Sequence, residues 1–380
     1  MKTLLTRLIA CIAFTFLLPT AHAGPTHELV VGFEVPPARP SKNALTLAPD
    51  GYLWGTTYGG GAHGGGNYRK GTIYKVKPDG SGMRIVYSFN YNDEFLVDVA
   101  VQPRSNSGLV DDGYGNLWGT ERYGGSAESG SVFKVNVFTE IVTTVASFTN
   151  GSDSSRGANP TSNGLASDGN GFLWGTTLRG GSYGFGTVFK VNVSTGQLAT
   201  VLDFPSASGT ISTLVSDGRG FMWGTAGGGY LKNGEVFKIN TQTGILTTVK
   251  QFTGTSGAAK GANPLGGMIR SNTGLFWGTT SRGGSSGAGT VFKIDPVTEI
   301  FTTVYEFSAA NATPSYGLAA DASGNIWGTS AYSVFRINPL SNAYFPIDAG
   351  VSGPGSLMIY GNTVFGTAVN RLGSVFKIDL

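Results

Sequence analysis

The chain has 380 residues but one cysteine, Cys11, and three histidines. A lone thiol closes no disulfide and builds no thiolate metal site. Beyond residue 23 only His27 and His63 remain, far apart and in no H-x-x-x-H or H-E-x-x-H pattern, so no metal is expected. Charge is scarce too: 13% of residues are Asp, Glu, Lys or Arg, and the formal net charge is +3. Such a body lacks the basic footprint of a nucleic-acid binder. The one apolar run of note, Leu8 to Leu18, is too short to span a membrane. No segment sustains a helical period.

That apolar run belongs to a leader. Lys2 and Arg7 precede it and Ala21-His22-Ala23 follows as an A-x-A cleavage site, so Met1 to Ala23 is read as a secretory signal peptide. Export to the periplasm or beyond is expected. The mature part, residues 24–380, would carry no thiol and a formal charge of +1, because Lys2 and Arg7 leave with the leader. It must hold together by packing alone.

What the chain has in abundance is glycine, with 60 residues, beside 40% hydrophobic and 12% aromatic residues. These occur in a repeat. In "GLASDGNGFLWGTTLRGGSYGFGTVFKVNVSTGQLATVLDF", Gly164 to Phe204, four short apolar runs are separated by Gly, Asp and Asn turns. Trp54, Trp118, Trp174, Trp223, Trp277 and Trp327 recur about every 50 residues, and Phe365 fills the column a seventh time. A second column runs Tyr74, Phe133, Phe189, Phe237, Phe292, Phe335 and Phe376. Four strands repeated seven times predict an all-β fold, a seven-bladed β-propeller with four-stranded blades, over residues 24–380 as one domain. The last repeat, "GSVFKIDL", stops after its third strand, while "HELVVGF" at His27 to Phe33 stands before the first as an orphan. This N-terminal strand is expected to complete the last blade, removing the unpaired edge.

The column "LWGTT…GG…GTVFKV…G…V..F" resembles the GloVer tandem repeat of bacterial exported proteins, over about Glu28 to Leu380. The third and fifth repeats match best, and the sixth and seventh lack the Gly-Gly loop. The resemblance implies an exported repeat protein. More distantly, "DGNGFLWGT" is similar to propeller repeats of two-component sensor ectodomains and of streptogramin lyases. Those differ in function, so the site must be argued from residues.

Several patterns carry no chemistry. "GGGAHGGG" fits G-x-G-x-x-G, but no helix follows to hold a phosphate. "GGSSG", Gly283 to Gly287, fits G-x-S-x-G without a strand-to-helix turn or a later His. Asp50, Asp112, Asp168, Asp217 and Asp321 each open a tight turn and are expected to cap backbone N–H groups rather than ligate calcium. The basic column Lys75, Lys134, Lys190, Lys238, Lys293, Arg336 and Lys377 is expected to be scaffold, its stems covering apolar surface.

The unrepeated parts are the loops joining second to third strands and blade to blade, which open on one face of a propeller. They are long in the first five repeats and short in the last two. Arg122, Arg179 and Arg282 are read as one loop position before Gly-Gly in three blades, with Glu121, Tyr183, Tyr230, Lys232 and Arg69 nearby as ligand-binding candidates. Arginine recognises carboxylates through paired hydrogen bonds, and tyrosine offers an apolar face with a hydroxyl. The expected function is binding of an extended ligand, an anionic glycan, by a monomer without cofactor. One alternative is a metal-independent polysaccharide lyase acting on uronates, with His63 as base and Tyr58 or Tyr123 as acid. The other is an interaction platform for an envelope protein.

Overall fold

In the computed structural model, residues 27–33, 43–57, 59–62, 71–89, 108–149, 157–162, 164–205, 210–228, 231–264, 266–308, 313–314, 316–331, 333–368 and 373–380 are described. The segment expected to be a leader, Met1 to Ala23, lies outside them. The described residues contain no helix and form seven antiparallel sheets of four strands each, a seven-bladed β-propeller. The third blade shows the pattern. A split inner strand, Ala158–Pro160 and Ala166–Ser167, pairs with Phe172–Arg179, which pairs with Thr187–Asn192 and then with the outer strand Leu198–Asp203.

The two aromatic columns explain the sequence of the strands. Trp174 lies opposite Lys190 and Gly175 opposite Phe189, so Trp and Lys share one face of the sheet and Gly and Phe the other. The Phe ring lies flat across the glycine. A Cβ on Gly175 would meet Phe189 Cζ at 2.4 Å and Leu165 Cδ2 at 2.9 Å. The same close approach recurs in all seven blades, at Gly55, Gly119, Gly175, Gly224, Gly278, Gly328 and Gly366. Glycine is thus required here by space.

Each Trp then packs on the Phe of the next blade. Trp118 and Phe189 share one buried cluster, Trp174 and Phe237 another, and Trp223 and Phe292 a third. There are seven such clusters among the described residues, and each joins two neighbouring blades. The core is therefore a ring of junctions.

Closure follows the expectation. His27–Gly32 pairs with Ser374–Asp379 as the outer strand of the last blade. The next residue, Phe33, donates its N–H to Gly373 O, as Phe148 does to Gly130 O and Phe204 to Gly186 O. Its ring meets Tyr74 of the first blade edge-on at 5.1 Å, just as Phe148 meets Phe189 at 5.0 Å. A Lys377–Glu28 ion pair at 2.9 Å adds to the latch.

The Asp and Lys columns are scaffold. Asp168 Oδ1 caps the N–H groups of Asn170 and Phe172, and Oδ2 accepts the indole N–H of Trp174 at 3.1 Å. The same Asp–Trp bond forms at Trp54, Trp118, Trp223 and Trp327. The basic heads lie over the Trp rings, from 4.9 Å for Lys75 to 5.9 Å for Arg336. Two of these lysines also tie blades together, Lys75 to Glu140 and Lys238 to Glu299.

Candidate functional site

The loops of interest all leave one edge of each sheet. In the third blade Arg179, at the end of the second strand, pairs with Ala158 at the start of the inner one, and Thr187 pairs with Asp203 at the end of the outer one. Both the second-to-third-strand loop and the blade connection therefore open on this face.

These loops are built the same way in the third and fifth blades. Thr177 Oγ1 donates to Arg179 O at 2.9 Å and accepts the N–H of Thr187, and Thr280 does the same for Arg282 and Thr290. Gly186 N–H bonds Gly180 O, and Gly289 N–H bonds Gly283 O. A residue at the end of the outer strand staples the loop from the side. Asp203 accepts from Ser182 N–H and Oγ–H, and Glu306 accepts from Ser285 N–H. Hydrogen bonds from Lys260 and Ser285 hold the Glu306 carboxyl down at about 2. In the first and second blades Ser88 and Ser147 are the staples, for Ala62 and Ser126. The signal is present in the sequence, since a polar residue precedes the terminal Phe in "YSF", "ASF", "LDF" and "YEF".

On this frame Arg179 and Arg282 occupy the same position, both exposed. Among the described residues their guanidinium groups make no hydrogen bond or ion pair. Tyr183 lies on the Arg179 loop and is 60% exposed. Phe185, which no motif in the sequence marks, is 45% exposed beside it.

Arg122 does not share the position of the other two arginines. It stands four residues after its Trp, whereas Arg179 and Arg282 stand five after theirs, and Tyr123 takes their place before Gly-Gly. Arg122 is half-buried, its Nε buried without a hydrogen-bond partner, and its head lies 5.6 Å from the Tyr123 ring. Its carbonyl accepts from Asn159 Nδ2, tying the second blade to the third.

Glu121 is also not on the surface. It is 8% exposed and takes the place of Thr57, Thr177 and Thr280, bonding Ser131 Oγ at 2.6 Å where those bond a threonine. Burial pushes its carboxyl up to about 7; the Ser131 hydrogen bond opposes this and the charge of Glu128 adds to it. Tyr58, His63, Arg69 and Tyr230 lie outside the described residues, as does the side chain of Lys232. No group of three or more His, Cys, Asp or Glu side chains suited to a metal occurs among the described residues. No helix among them is long and apolar enough to cross a membrane.

These features define a propeller repeat protein. The Gloeobacter/Verrucomicrobia repeat model matches residues 20–210 and 152–341, and the chain belongs to that family. No curated protein matches the sequence. Among solved structures, the extracellular domain of a hybrid two-component system from B. thetaiotaomicron aligns with a TM-score of 0.63 at 9% identity, over 93% of this chain and 39% of that one. An oligogalacturonate lyase from Vibrio parahaemolyticus aligns with a TM-score of 0.61 at 9% identity, over 94% of both chains. At such identities the likeness is one of fold.

Proposed function

We propose that this propeller is an exported binding protein that holds an extended anionic glycan across its long-loop face. The observation that supports it is the pair of exposed arginines, Arg179 and Arg282, without partners among the described residues, on two stapled loops of similar backbone design two blades apart. The stapled loops need no backbone ordering on meeting a ligand, and the planar guanidinium loses less freedom per hydrogen bond than an ammonium would, which favours recognition of spaced carboxylates. Location outside the cytoplasm rests on the signal-like leader and agrees with a fold neighbour that is an extracellular domain. A glycan-binding screen tests the proposal. Arg179→Ala and Arg282→Ala should each weaken a uronate-containing ligand by roughly 1.5–3 kcal/mol. If neither substitution weakens any glycan bound in the screen, the long-loop face is not the site.

A second reading is the metal-independent lyase acting on uronates, in which His63 would be the base and Tyr123, half-buried before Gly124 and Gly125 on this face, or Tyr58 the acid. Release of unsaturated sugar from a uronate polymer, seen as new ultraviolet absorbance, would establish it. The third reading, a platform for an envelope protein, requires that the same arginines govern capture of that protein and no glycan.

A further inference from the structure

The third and fifth blades build one loop with two sets of side chains. In "RGGSYGFG" and "RGGSSGAG", Arg179 to Gly186 and Arg282 to Gly289, two backbone bonds within the loop correspond: Gly184 to Gly181 matches Gly287 to Gly284, and Gly186 to Gly180 matches Gly289 to Gly283. Gly180 bridges Phe185 and Gly283 bridges Ala288 in the same parallel geometry, and Gly184 and Gly287 share a left-handed turn at φ 77° and 76°. The differences are Tyr183 against Ser286 and Phe185 against Ala288. Ala288 is 9% exposed and packs in the core cluster around Trp277 and Phe307, whereas the larger Phe185 stands out at 45%.

The fifth blade thus forms this loop without an aromatic residue, with Lys260 bonding Ser285 Oγ and Glu306 beside it. The Tyr183 and Phe185 side chains have no ring, cation or hydrogen-bond partner among the described residues. Two exposed rings thus lie within six residues of Arg179, whose guanidinium has no hydrogen-bond or ion-pair partner among the described residues. Exposed apolar groups that gather into a patch rimmed by polar residues mark contact sites.

We propose that the loop of Arg179, Tyr183 and Phe185 is a subsite for a pyranose ring bearing a carboxylate, while the Arg282 loop contacts charge alone. The rings stack against the apolar C–H face of the sugar, the Tyr183 hydroxyl is free to bond a ring substituent, and Arg179 takes the carboxylate. A ligand would thus lie with a defined direction, ring-gripped at the third blade and charge-gripped at the fifth. This rests on the anionic-glycan reading above and adds which loop distinguishes a sugar acid from any other polyanion.

The test uses three probes: oligogalacturonate, with ring and carboxylate; polyphosphate, with charge and no ring; and maltoheptaose, with ring and no charge. The double variant Tyr183→Ser/Phe185→Ala copies the fifth-blade loop and should melt as the wild type does. It is expected to lose tenfold or more in affinity for oligogalacturonate and less than twofold for polyphosphate. Arg282→Ala should weaken both polyanions alike, and maltoheptaose should bind at least tenfold more weakly than oligogalacturonate. Equal losses for both polyanions, or no loss for oligogalacturonate, overturns the subsite while leaving a polyanion face intact. Failure of the wild type to bind either polyanion overturns the anionic-ligand reading and the subsite with it.

Discussion

Ser271 Oγ turns to Leu275 O and Thr273, and the indole N–H of Trp277, six residues later, is buried without an acceptor. In five other blades an Asp at this turn accepts that proton. Ser271→Asp should supply it and cap the turn as well, raising stability by about 1–2 kcal/mol. Asp168→Ala should cost about 2 kcal/mol or more by orphaning Trp174. Denaturant unfolding of the two variants checks both; a neutral Ser271→Asp would show that the turn of the fifth blade cannot place a carboxylate.

Gly175→Ala drives a methyl into the ring of Phe189, 2.4 Å from Cζ. Overpacking of this kind costs roughly 1–3 kcal/mol. Phe189→Leu destabilises on its own, but combined with Gly175→Ala the two losses should fall short of their sum by at least about 0.5 kcal/mol. Strict additivity in the double-mutant cycle would mean that the ring is not what excludes the side chain.

Tyr74 is the one member of its aromatic column with a hydroxyl, and that hydroxyl is buried without a partner. Burial pushes its ionisation well above the usual tyrosine range. Tyr74→Phe removes an unsatisfied group and keeps the ring against Phe33, so stability should rise by about 1 kcal/mol. Ultraviolet titration should show one fewer tyrosine resisting ionisation in the folded variant.

Glu121 makes stability fall as the solution is made more alkaline. Its carboxyl rises from the ordinary 4.5 to about 7 on folding, so between these values the folded chain holds a proton that the unfolded chain has released. The contribution is full below about 4.5 and is lost as pH climbs to 7, up to about 3 kcal/mol. Glu121→Gln should flatten this slope and be more stable than wild type at pH 8. Parallel slopes for the two proteins would place the titrating group elsewhere.

The fold was legible because each strand carries its own marker. Trp and Phe recur at fixed offsets, and the glycine between them is readable as a contact once the ring is laid across it. The closing strand was legible as well, since "HELVVGF" ends in the same Phe as the other outer strands. The site was less so. Arg122 was placed with Arg179 and Arg282 by its nearness to Gly-Gly, but a shift of one residue along an extended chain reverses the side chain. Glu121 looks like a loop residue beside Arg122, although it aligns with the buried threonines Thr57, Thr177 and Thr280. The Asp–Trp bond was missed because a turn-capping Asp accounts for itself locally, and only the packed sheet brings the indole to its second oxygen.

The strand that opens the described chain, His27–Gly32, finds its partner at Ser374–Asp379. In time rather than space, the first described strand to be made is the last of them to be satisfied. Until the final repeat has emerged, the Phe33 ring has no Gly373 to anchor its strand, and the first blade keeps an uncovered flank. Inner blades can form from neighbours in sequence, but the ring joint waits on the most distant contact in the molecule and carries the full entropy of closing the chain on itself. Folding of this propeller should therefore end in a single slow step whose rate responds to changes at Phe33 and hardly at all to changes at Phe189.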